Sequence, residues 1–132
     1  MSAALRLRVR TPDGLLVDRE VQAVGAEDLD GWFGLRPGRR GLVAALPPGL
    51  LVFRDPAGEW FVAHAGGLLD LANGECRVMT LEAVVSSDLE QVAELVDRHV
   101  SSRASRGQRQ RGVLHDLARE ALRRLAQEAR AL

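Results

Sequence analysis

Through most of its first half the chain carries a turn signal at intervals of roughly 8 to 12 residues, which leaves room between signals for short strands and not for globular helices. The signals are Thr11-Pro12-Asp13-Gly14, the acidic stretch Glu27-Asp28-Leu29-Asp30-Gly31, Pro37-Gly38, Pro47-Pro48-Gly49, Asp55-Pro56-Ala57-Gly58 and Ala72-Asn73-Gly74-Glu75. Ahead of the first, Leu5, Leu7 and Val9 alternate with Arg6, Arg8 and Arg10, the period of two that puts leucines on one face of a strand and arginines on the other. Further strands read at 15–17, 21–24, 42–46, 50–54, 60–64, 68–71 and 77–81. Many short antiparallel strands with this spacing predict a sandwich or barrel. A sandwich buries Leu5, Leu7, Val9, Val43, Val62, Leu69, Leu71 and Val78 between its sheets.

The period changes near Ser86. Ser87-Asp88-Leu89-Glu90 reads as a capping box with Ser87 as the cap, and Asp88 favours the positive end of the helix dipole. Leu89, Val92, Ala93, Val96 and Val100 then recur at three- and four-residue steps. A second such stripe, with Leu114, Leu117, Ala121, Leu122 and Leu125, predicts another amphipathic helix. Two small-residue-rich helices in succession predict an antiparallel hairpin. The expected organisation is therefore mainly β with C-terminal α: a β-sandwich domain over 1–85 and a helical hairpin over 86–132.

The sequence of 132 residues balances 18 basic against 18 acidic side chains, which argues against a dedicated nucleic-acid or membrane-surface binder. Every basic residue is arginine, so chemistries that need a lysine, such as a Walker phosphate loop or a Schiff base, are excluded. Cys76 is the single cysteine; it rules out an internal disulfide and fits a reducing compartment as a buried thiol. No signal peptide or spanning segment reads from the sequence. His64, His99 and His115 lack metal-ligand spacing, and Glu27, Asp28 and Asp30 lack the ligand ladder of a calcium loop. No nucleophile and base pair emerges. Arg103, Arg106, Arg109 and Arg111 make a locally basic linker without aromatics for base stacking. Trp32, beside Gly31 at what reads as a loop tip, is either a core anchor or an interface anchor.

The ordered loops carry a resemblance. Gly31-Trp32-Phe33-Gly34-Leu35-Arg36-Pro37-Gly38, then Leu42-Val43-Ala44-Ala45-Leu46-Pro47-Pro48-Gly49-Leu50-Leu51, resembles the signature of the epsilon subunit of rotary F-type ATP synthases. Thr11 to Gly14 matches that family's first turn, and Phe61 to Leu71 its apolar strand with two glycines. The resemblance covers about residues 5 to 105. It implies a sandwich of about ten strands followed by two helices, with no catalytic residue, no cofactor and no small-molecule substrate. The implied partners are the gamma subunit and the c-ring, and the implied place is peripheral, on the cytoplasmic side of the bacterial inner membrane. The resemblance puts Asp30, Gly31 and Trp32 at the c-ring, with Trp32 standing where the family has a glutamate, which favours the interface reading of that residue. It puts Arg39, Leu42, Ala65 and Asp70 towards gamma, Arg39 replacing a histidine, Ala65 a serine and Asp70 a glutamate. Asp88, Leu89, Val92, Leu117 and Leu122 fall in the hairpin that in the family regulates ATP hydrolysis. The family's ATP-sensing run, apolar-Asp-x-x-Arg-Ala, lacks its arginine and alanine here. Val-Ala-Ala-Leu and Arg39 are similar to the sodium-type branch. Two alternatives remain at this point: a free-standing sandwich that binds a ligand in an apolar pocket, and an RNA-binding module that uses the basic linker.

Overall fold

The computed structural model describes residues 4–102. In chain order it has β1 (Leu5–Thr11), β2 (Gly14–Val21), β3 (Ala23–Asp28), β4 (Gly31–Leu35), β5 (Leu42–Leu46), β6 (Gly49–Asp55), β7 (Gly58–His64), β8 (Gly67–Ala72), β9 (Glu75–Thr80), β10 (Ala83–Ser86) and α1 (Leu89–Ser102). The strands form two five-stranded sheets, ordered β2-β1-β9-β8-β5 and β10-β7-β6-β3-β4. Neighbours are antiparallel except β1 and β9, which run parallel. The β8–β9 hairpin closes on Asn73-Gly74, both at positive φ, the two-residue turn whose twist matches paired strands.

The alternation in β1 works as the sequence predicts. Leu5, Leu7 and Val9 point between the sheets with Val17, Val21, Cys76, Val78, Leu69 and Leu71, and meet Val24, Leu35, Leu51, Phe53 and Val62 of the second sheet. At the β2 edge the Arg19 guanidinium lies 4.3 Å from the ring centre of Trp60 and is held by Asp55 at 3.2 Å, so a cation covers the end of the core.

Four expectations need correction. Val43 is 72% exposed: β5 is an edge strand that turns Leu42, Ala44 and Leu46 inward, and an unbroken apolar run hides which set faces the core. The acidic stretch is not one turn, because Glu27 and Asp28 end β3 and Gly31 opens β4, leaving Leu29 and Asp30 as the turn. Trp32 therefore sits in a strand, opposite Glu27. The helix cap is Asp88, whose Oδ1 accepts from Glu90 N–H at 2.9 Å, while Ser86 Oγ accepts from Asp88 N–H at 3.1 Å and donates to Gln91 Oε1 at 2.9 Å. Ser87 is not the cap.

A second apolar cluster lies on the other side of the second sheet. Val92 and Val96 of α1 pack onto Leu50, Val52, Phe61 and Ala63, with Trp32, Val84 and Leu89 at the margin. The helix is thus a third layer over that sheet. The second helix expected near 114–129, with Leu117, Leu122 and His115, lies outside the described residues.

Candidate functional site

With one face of the second sheet covered by α1, the open surface of the slab is the outer face of the first sheet, and strand register decides what it displays. Leu15 pairs with Arg10, Arg10 with Met79, Met79 with Leu68 and Leu68 with Ala45, a row across all five strands. The next row is Asp18, Arg8, Arg77, Asp70 and Val43. The first row is largely apolar, and Leu15, Leu68, Met79, Val43 and Leu81 are large hydrophobic side chains left in water. Contiguous exposed apolar surface of this kind marks a contact site in a stable domain.

The second row is a closed electrostatic ladder. Asp18 Oδ1 accepts from Arg6 at 2.7 Å and from Arg8 at 3.3 Å, Arg8 reaches Glu75 at 2.8 Å, and Arg77 reaches Asp70 at 3.4 Å. The Arg6 guanidinium holds the Asp18 carboxyl below the usual carboxylate range, against the partial burial that opposes it. Solvent screens exposed pairs so that they add little to stability, and the ladder's main effect is to neutralise that half of the face and leave the apolar half as the place to dock.

The positions that the resemblance singled out are spread over the slab. Asp70 is on the outer face of the first sheet, bonded to Arg77, with Val43 as its strand neighbour. Leu42 is turned towards the core and packs there. Ala65 lies in the β7–β8 connection, its N–H donating to Glu82 C=O at 3.0 Å. Arg39 is in the β4–β5 loop at the opposite end of the slab, exposed, its Nη1 donating to Gly34 C=O at 2.8 Å. Because β3 runs parallel to β7, the Leu29-Asp30 turn shares an end of the second sheet with the β7–β8 and β5–β6 connections. Asp28 Oδ1 pins this turn by accepting from Asp30 N–H at 2.8 Å. Its tip is Leu29, 86% exposed. Trp32 instead lies across Gly25, where its indole leaves no room for a Cβ, and joins the margin of the cluster under α1. Asp88 caps α1, and Leu89 and Val92 pack it down.

Sequence reading passed over Leu15, Leu29, Leu68, Met79 and Leu81 as surface residues. The available signal was Leu68-Leu69 in β8, two large apolar residues in succession where one must face out.

Nothing at these surfaces has the makings of a reaction. Cys76 is buried, and burial, with Asp70 adding to it, pushes its thiol up to about 12, far from a reactive thiolate. His64 is buried beside the β7–β8 turn, its Nδ1 accepting from Gly66 N–H at 3.0 Å. Among the described residues no cluster of His, Cys, Asp or Glu suits a metal ion, and no helix is long and apolar enough to cross a membrane. An open groove of about 550 Å³ runs between the β1–β2 turn and the β9–β10 connection, past Pro12, Gly66, Met79 and Leu81. Its lining is mostly apolar, with few convergent polar groups, so it extends the apolar face and does not make a ligand pocket.

The sequence family described as ATP synthase, Delta/Epsilon chain, beta-sandwich domain matches residues 4–86. The chain is 35% identical over 127 residues to ATP synthase epsilon chain 2 of Cereibacter sphaeroides, covering 92% of this chain and 86% of that one. It is 28% identical over 90 residues to the ATP synthase epsilon chain of Lawsonia intracellularis, covering 68% of each. Among solved structures it is similar to a chain of the Euglena gracilis mitochondrial ATP synthase OSCP/F1/c-ring assembly, with a TM-score of 0.63 at 20% identity over 98% of this chain and 83% of that one. A chain of the Tetrahymena thermophila mitochondrial ATP synthase central stalk/c-ring gives a TM-score of 0.53 at 18% identity, covering 66% of this chain and 68% of that one. At those identities the structural likeness is one of fold.

Proposed function

The chain belongs to the ATP synthase epsilon chains, non-catalytic stalk subunits, and on that premise we propose that it fastens the gamma subunit to the ring of c subunits within the rotor. The observation that carries this reading is the outer face of the first sheet, where a row of Leu15, Met79, Leu68 and Ala45, interrupted by Arg10 alone, lies beside an ion-pair ladder that cancels its own charge. A slab of two hydrogen-bonded sheets transmits force without deforming, and an apolar face gives it a lasting grip. Gamma takes this face, with Asp70, Val43, Ala65 and Arg39 around it and Leu42 supporting it from beneath. The c-ring takes the Asp30-Gly31 turn, with exposed Leu29 as its apolar tip and Trp32 bracing it from β4.

In the same reading the subunit is peripheral, held at the membrane through the complex. The regulatory hairpin that the resemblance implies over 86–132 belongs to this reading too: Asp88, Leu89 and Val92, which hold α1 on the slab, set whether it stays there or leaves to restrain ATP hydrolysis, and Leu117 and Leu122 lie outside the described residues. Binding of the purified chain to purified gamma tests the first contact. Met79→Asp, which puts a charge into a surface that must be dried on docking, should weaken binding by 100-fold or more, about 2.7 kcal/mol, at an unchanged melting temperature. Unaltered binding would move the gamma contact elsewhere.

A further inference from the structure

Of the ten described arginine side chains, six are in ion pairs and four are not. Arg6, Arg8, Arg19, Arg54, Arg77 and Arg98 each reach a carboxylate within 4.0 Å. Arg10, Arg36, Arg39 and Arg40 have no ion pair among the described residues; Arg10 lies in β1, and the other three fall together in the β4–β5 loop. With six of the ten described arginines neutralised in place, three exposed and unpaired guanidiniums within five positions are a local excess of positive charge.

The loop that carries them is preorganised. Arg39 N–H donates to Arg36 C=O at 3.3 Å, and Gly38 between them has φ +87°, so Arg36-Pro37-Gly38-Arg39 is a turn of the type that takes proline second and glycine third. Such a turn brings its first and last residues side by side, here two arginines. One arm is fixed further, because Arg39 Nη1 spends a donor on Gly34 C=O at 2.8 Å and leaves the rest of its fork free. The neighbouring Arg54 is already committed to Glu59 at 3.0 Å and adds no free charge to the turn. The loop leads directly into β5, whose Val43 and Ala45 belong to the apolar face.

We propose that the Arg36–Arg40 turn grips an acidic segment of the gamma subunit, with carboxylates on the guanidiniums. This rests on the reading that gamma docks on the contiguous face. The turn is the polar rim of that interface: fixed cations at the edge of an apolar patch set register and speed encounter, at little entropic cost because the turn is already formed.

The test is the affinity of the full chain for purified gamma at about 50 and 300 mM salt, bracketing strong and weak screening. The unaltered chain should lose about tenfold in affinity over that range. R36E/R40E, which leaves Arg39 to hold the loop, should bind at least tenfold more weakly at low salt and lose less than threefold on raising it. R36Q/R40Q, which removes charge without adding repulsion, should show the same flattened salt response. Equal affinity and an equal salt response in both variants would overturn the turn's role while leaving Met79→Asp to report on gamma docking; a wild-type chain that does not bind gamma at all would overturn both. Capture of the wild-type chain by phosphatidylglycerol vesicles, lost in R36E/R40E, would overturn the acidic-protein assignment in favour of a membrane headgroup.

Discussion

His64 shows how one contact fixes the chemistry of a buried side chain. Gly66 N–H donates to Nδ1 at 3.0 Å, so that nitrogen is the acceptor and the neutral ring carries its proton on Nε2, which has no protein partner among the described residues. Protonating Nδ1 breaks this bond inside the core. Burial accordingly lowers the pKa from 6.5 to about 4. Because the folded value lies below the unfolded one, the folded state suffers no loss above pH 6.5. As pH falls, the unfolded chain binds the proton first, and stability is lost between about pH 6.5 and 4, reaching roughly 3 kcal/mol at about 1.4 kcal/mol for each pH unit of the gap. Urea unfolding at pH 7.5 and 4.5 measures this, and His64→Gln should flatten the difference by most of that amount; an equal pH dependence in the variant would assign the loss to other groups. Sequence reading found no metal-ligand spacing at His64 and could not reach its tautomer, because Gly66 meets it only through the shape of the turn. Val43 and Asp88 were misread for a related reason: strand phase and cap identity each turn on a shift of one residue, which an unbroken apolar run and a Ser-Ser-Asp stretch leave open.

At the scale of elements, legibility followed pattern strength. β1 alternates cleanly and was read with its faces correct, and β5 to β9 were bracketed by Pro, Gly and Asn turns. β4 and β10 went unread from the residues because β4 is all glycine and aromatic apart from Leu35 and β10 is a short strand just ahead of the helix. The stripe in α1 was plain, but what it covers was not: Leu50, Val52, Phe61 and Ala63 become a docking site only when β6 and β7 pair. This placement changes what removing the helix does. The main core holds no helix residue, so a chain ending at Ser87 should still unfold cooperatively. It should lose roughly 3 kcal/mol from Val92 and Val96 and bind a hydrophobic dye on the bared sheet. Circular dichroism melts with dye titration test this. A non-cooperative melt would mean that the third layer is needed to hold the sandwich, and would end the division at residue 85.

As a whole the molecule is a slab with its surfaces divided: α1 over one face, an apolar strip and a neutral ladder on the other, an apolar tip at Leu29 on one end and an unpaired arginine turn on the other. The family and the two-sheet architecture were legible from the order of the loops, because turn chemistry survives where side chains diverge. The docking strip was not, since it is assembled from residues of four strands that are neighbours only through register. The central claim is that one face meets gamma and one tip meets the c-ring. The most direct measurement uses the chain's own chemistry: Cys76 is buried with its thiol raised to about 12, so new surface cysteines can be labelled in its presence. Met79→Cys and Leu29→Cys, each carrying a photoactivated cross-linker, are assembled into the complex, irradiated, and the products identified by mass. The account predicts gamma cross-linked from position 79 and c subunit from position 29, with neither product exchanged; both positions joined to the same partner, or no product from position 79, would contradict it.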